Sequence, residues 1–76
     1  MIVEHEEYTG YKNKETGAEL TLQQYYGTIK GEYVSYIVKL VKPNGNKVTL
    51  GGDTKYNKAK NLLEENKPKI ETGFFQ

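Results

Sequence analysis

Seventy-six residues, 36% hydrophobic and 28% charged, suffice for one small domain over residues 1–76 with a thin core. The absence of Cys excludes disulfides and thiolate metal sites, and no apolar run is long enough for a signal segment or a membrane span, so a cytoplasmic protein is expected. Net charge is +1, but residues 1–19 hold five Glu against Lys12 and Lys14, whereas residues 24–60 hold seven Lys against Glu32 and Asp53.

Residues 2–12, with Ile2, Val3, Tyr8 and Tyr11, read as a first strand. Asn13-Lys14-Glu15-Thr16-Gly17 has turn chemistry. Residues 18–29 read as a second strand, and Lys30-Gly31 as a two-residue turn. The third strand is Tyr33–Lys42, with Val34, Tyr36, Val38 and Leu40 on an apolar face and a mixed face opposite. Lys42-Pro43-Asn44-Gly45-Asn46 then carries Asn-Gly, the strongest short-range hairpin signal, for a type I′ turn with positive φ at both residues. Val48 and Leu50 continue the apolar face on a fourth strand, which Gly51-Gly52 should break.

Asp53 is the N-cap candidate of a helix. Tyr56, Ala59, Leu62 and Leu63 share one helical face, and Pro68 should end the helix near Asn66. The expectation is an α+β fold: a four-stranded antiparallel β-meander with one C-terminal α-helix packed on one face. Phe74 and Phe75 at the terminus either dock on the core edge or form a protein interface.

Chemistry is sparse. The chain has one Ser, one His and one Asp (Ser35, His5, Asp53), far apart in sequence and without a nucleophile elbow. Glu4-His5-Glu6-Glu7 offers one imidazole and carboxylates, which do not close a zinc site and read as a solvated strand end. A chain this short leaves little room for a substrate cleft. No enzyme, metal or cofactor is expected.

Two constellations point to binding. The first is the Gly51-Gly52 turn ahead of a helix with Lys55 and Lys58 in its first half and Glu64 and Glu65 in its expected last turn. The macrodipole prefers the reverse order, so the lysines can serve an anion; a solvated helix after a plain Gly-Gly turn is the alternative. The second joins Tyr25, Tyr26, Tyr33, Tyr36 and Tyr56 with the lysine-rich region that holds Lys39 and Lys47. Aromatics beside lysines suit single-stranded nucleic acid. Tyrosines equally suit a protein interface, or are strand formers only. Arg, the usual bidentate reader of base edges, is absent, which favours single strands over duplex. An AT-rich genome would produce the same Lys-, Asn- and Tyr-rich bias.

Asn44 to Leu63, with a hairpin, Val48-Thr49-Leu50 and a helix carrying Tyr56 and Leu62-Leu63, resembles the end of the single-stranded-DNA-binding transcriptional coactivator fold. That resemblance implies four strands plus a helix, a curved basic sheet and a homodimer. Leu50-Gly51, Lys55 and Ala59 are also similar to the N-terminal DNA-binding arm of phage integrases, without its arginines or turn aromatic. The expected function is a small non-enzymatic binding module for nucleic acid, single-stranded DNA first. Its site would draw on Lys39, Lys47, Gly51, Gly52, Lys55, Lys58, Tyr25 and Tyr33. The alternative is a protein-binding accessory or inhibitor of the phage or mobile-element kind.

Overall fold

The computed structural model describes residues 1–72, so Phe74 and Phe75 lie outside the described residues. Its elements are β1 (Ile2–Glu4), β2 (Thr9–Asn13), β3 (Glu19–Ile29), β4 (Glu32–Val41), β5 (Lys47–Asp53) and α1 (Tyr56–Thr72). The strands form one antiparallel sheet in sequence order, with the helix after them. The α+β meander is as expected, but it has five strands and not four. No helix among the described residues is long and apolar enough to cross a membrane.

The fifth strand comes from a turn inside residues 2–12. The His5 N–H donates to the Gly10 carbonyl. His5 Nδ1 accepts from the N–H groups of Glu7 (3.1 Å) and Tyr8 (3.2 Å). An imidazole here does the work of an Asn or Asp side chain in an Asx turn, which is why no turn signal was visible. Gly10 is obligatory at the end of this turn: a Cβ there would lie 1.9 Å from the Leu20 carbonyl oxygen.

The Lys30-Gly31 turn forms as expected, with φ of 53° and 83°. The Asn-Gly hairpin also forms, but by another route. Gly45 N–H donates to the Lys42 carbonyl, and Gly45 has φ 92° whereas Asn44 stays at negative φ. Pro43 pre-sets φ for the first central position of an ordinary turn, so Pro43-Asn44 is the turn centre and Gly45 follows it.

Gly51 and Gly52 do not break the strand. They lie in β5 opposite Val38 and Ile37, after a bulge that leaves Leu50 as the extra residue. A Cβ on Gly52 would lie 2.4 Å from the Tyr36 carbonyl oxygen, so glycine lets the edge strand close up on β4.

The helix also departs from expectation: it continues through Pro68 to Thr72. Its buried residues Ala59, Leu63, Asn66 and Ile70 form one unbroken stripe. Ile70, beyond the proline, is fully buried, and Asn13 Nδ2 donates to its carbonyl at 2.7 Å. These two anchors hold the last turn where local sequence would end it. Asp53 sits two residues before the first helical carbonyl, which is that of Lys55, and its carboxylate accepts from the Lys55 N–H at 2.9 Å.

The core lies between this stripe and one face of the sheet. Ala18, Leu20, Leu22, Val38 and Leu40 meet Ala59, Leu63 and Ile70, with Tyr36, Leu50 and Leu62 packed at its margin. Each fully buried Leu contributes about 1.5–3 kcal/mol. On β4, Val38 and Leu40 of the even face lie in this core, as the alternation predicts, but Ile37 of the odd face is buried too, with Ile29 beside it at Gly52.

Candidate functional site

With the helix on one face, the other face of the sheet is left for solvent or a ligand. Register fixes what stands there. One row runs from Lys12 to Glu19, Val41 and Lys47 across β2, β3, β4 and β5. The next runs from Gly10 to Thr21, Lys39 and Thr49. Directly paired residues share a face, so Lys12, Lys39 and Lys47 stand together on the uncovered side.

These residues line a groove of about 430 Å³. Thr21 and Gln23 lie on its floor, and the His5–Tyr8 turn forms one wall. His5 Nε2 meets Glu19 Oε1 at 2.5 Å, with the imidazole almost wholly buried. Glu6 and Glu7 are exposed on the same turn. The groove thus grades from carboxylates at the β1–β2 turn to ammonium groups on β4 and β5.

Beyond Leu22 on β3 and Tyr36 on β4, neither β2 nor β5 flanks the pair, and the two strands run on as an arm. A bulge sets Tyr25 and Tyr26 against Ser35. Tyr33 pairs with Thr28, and Tyr26 is two residues from Thr28 and so shares its side of the hairpin. Tyr26 is 84% exposed and Tyr33 56%. Tyr25 is placed otherwise: its ring lies against Gly27, within 2.9 Å of where a Cβ would be. It fills the space that the glycine leaves.

The open face therefore unites Lys39 and Lys47 among the residues expected from sequence and adds Lys12, while Tyr33 and Tyr26 lie on the hairpin beyond the groove. Lys55 and Lys58 are exposed at the start of the helix and do not line the groove. The Gly51-Gly52 segment is ladder and not an N–H-lined loop, and the Asp53 carboxylate accepts from the Lys55 N–H just ahead of the helix. Glu64 and Glu65 fall in the middle of the helix and not in its last turn, where Lys69 and Glu71 offset each other. Tyr36 and Tyr56 pack edge-on against each other, centroids 5.5 Å apart, on the helix side. Lys12 was legible by counting outward from the Asn13–Gly17 turn to Glu19. Tyr26 was not, because its exposure depends on a bulge.

On the covered side, Tyr11 clasps the helix. Its hydroxyl donates to Glu64 at 2.5 Å, and Lys67 Nζ sits 4.4 Å from its ring centroid. The hydrogen bond to Glu64 pushes the phenol up to about 12 and holds the Glu64 carboxyl below its ordinary value. Among the described residues no three His, Cys, Asp or Glu side chains gather as metal ligands. His5 and Asp53 are engaged separately, with Glu19 and the Lys55 N–H. No family model matches the chain, and no curated protein or solved structure is similar enough to count as a match.

Proposed function

We propose that the chain is a small non-enzymatic binding module whose open sheet face takes single-stranded nucleic acid. The observation that supports this is the register, which puts Lys12, Lys39 and Lys47 on one uncovered face, with the exposed rings of Tyr26 and Tyr33 on the β3–β4 hairpin that continues from it. Ammonium groups follow a phosphate backbone without reading bases, and tyrosine rings stack on any base, at about 1–3 kcal/mol per base. A flexible single strand can follow a groove onto the β3–β4 hairpin, which a stiff duplex cannot.

The test is a titration with a labelled oligothymidylate at two salt concentrations. Affinity falls steeply with salt if phosphates are neutralised. The double change Lys39→Glu with Lys47→Glu abolishes binding, and Tyr26→Ala with Tyr33→Ala weakens it while leaving the salt slope. No binding at low salt removes the proposal.

One observation favours a second reading. Glu6, Glu7 and Glu19 line the same groove, and such a mixed lining suits a protein surface of mixed charge. Capture of a host protein that survives nuclease treatment would carry the accessory or inhibitor reading instead.

A further inference from the structure

The His5 ring makes three polar contacts, and together they define its protonation state. Nδ1 accepts from two backbone N–H groups, those of Glu7 and Tyr8, so no proton can sit on it. Nε2 faces the Glu19 carboxylate at 2.5 Å and must carry the proton. The structure assigns His5 as the neutral Nε2–H tautomer and as a pH-sensitive latch that holds the acidic Glu6-Glu7 turn against the groove.

Protonation acts on the two nitrogens in opposite ways. The Nε2–H bond to Glu19 gains charge and strengthens. The new Nδ1–H faces two N–H donors, so both contacts are lost. The ring therefore stays on Glu19 while the turn backbone leaves it.

Charges around the ring do not override this. Glu19 of β3 is bonded to it, and Glu4 of β1, Tyr11 and Lys12 of β2 and Lys60 of α1 lie round the same two hollows. Lys39 of β4 and Lys47 of β5 line the far wall, and Glu6, Glu7 and Tyr8 belong to the turn itself. Four carboxylates face four ammonium groups, so the short-range contacts decide. Released, the turn takes the Glu6 and Glu7 carboxylates away from the groove that holds Lys39 and Lys47. The latch is a property of the turn; only its effect on ligand binding rests on the nucleic-acid reading.

The test is NMR of the full chain from about pH 8 to about pH 5, the range in which imidazoles change charge. At the upper end the ring nitrogens should report a protonated Nε2 and a bare Nδ1. On acidification the Glu7 and Tyr8 amide resonances should shift together with the ring, and their hydrogen exchange should speed up relative to Gly10. His5→Asn supplies a control, since its amide oxygen accepts from the same N–H groups but does not titrate. It should keep the turn closed throughout. A ring protonated at Nδ1 at the upper end overturns the assignment. Glu7 and Tyr8 amides that ignore the titration of the ring, or that respond equally in His5→Asn, overturn the latch. In the wild-type chain, oligothymidylate affinity should rise severalfold on acidification, and in His5→Asn it should not. Amides that respond while no oligothymidylate binds leave the latch standing and remove the nucleic-acid reading.

Discussion

The two faces of the sheet are built on opposite terms. On the covered face, Leu20, Leu22, Val38 and Leu40 are fixed by what they touch, since Ala59, Leu63 and Ile70 close over them. On the open face, strand pairing brings Lys12, Lys39 and Lys47 side by side, and of the side chains beside them only Thr21 and Ile37 are buried. A change on the first face should therefore cost stability and little else. A change on the second should cost binding and little stability.

The largest effect belongs to the covered face. Leu63→Ala removes a fully buried side chain and should cost about 2–5 kcal/mol, enough to unfold much of a domain this small. Lys39→Ala on the open face should stay within about 0.5 kcal/mol. Urea unfolding of the two variants beside wild type checks the contrast. Equal losses would mean that the Lys39 stem packs in a second core, and the division fails.

Glycine contacts give the next effect. Gly10→Ala forces a Cβ against the Leu20 carbonyl oxygen, and Gly52→Ala against that of Tyr36. Each should destabilise by more than about 1 kcal/mol, since backbone and not a flexible side chain must yield. Gly17→Ala meets nothing within 4 Å and is strained only by its φ of 85°, so it should cost less than either. Melting temperatures should rank accordingly, and a Gly17→Ala variant as unstable as Gly10→Ala would contradict the close approach.

Pro68 sharpens the comparison from the other side. It lies exposed within a helix whose buried stripe extends past it. Pro68→Ala restores the N–H that can bond to the Glu64 carbonyl, and should raise stability by about 1–3 kcal/mol without touching binding. A calorimetric melt lower than wild type would show that the proline shapes the packing of Ile70.

These elements also show what was legible in the chain. Alternation in β4 identified the buried face, and helical spacing identified Ala59 and Leu63, because burial writes its period into the sequence. Three features escaped. The β1–β2 turn is made by a His5 side chain in a role usually filled by Asn or Asp. The last helical turn is held by Asn13, 57 residues away from the Ile70 carbonyl it bonds. The bulges at Tyr25-Tyr26 and Leu50 reset which side chains face out, and the glycines that follow them, Gly27 and Gly51, do not say by how much. Of the residues expected at the site, Lys39 and Lys47 share one face because they lie on β4 and β5, joined by a hairpin that the sequence announces. Lys55, Lys58 and Tyr25 lie away from this groove, since Gly51 and Gly52 pair in β5 and the bulge turns Tyr25 against Gly27.

The smallest effect falls where the two faces meet the solvent, at Tyr11. Its hydroxyl bonds Glu64, and that contact should bend the stability profile at both ends of the pH scale. The phenol is raised from 10.0 to about 12, so its neutral form is favoured in the folded state. That contribution is complete below pH 10.0 and is lost as pH rises toward 12. The Glu64 carboxyl is lowered, so its contribution is present above its unfolded value of about 4.5 and is lost as pH falls through the folded one. Tyr11→Phe keeps the ring beneath Lys67 and removes only the hydroxyl. It should cost less than about 1 kcal/mol at neutral pH, since both partners are partly solvated. It should also flatten the alkaline limb, while the acid limb keeps the part that comes from the Lys60–Glu64 pair. Urea midpoints at acid, neutral and alkaline pH separate these contributions. A Tyr11→Phe profile parallel to wild type at every pH would show that Tyr11 steadies the helix through its ring alone, and that the hydroxyl contact with Glu64 contributes nothing to holding the covered face closed.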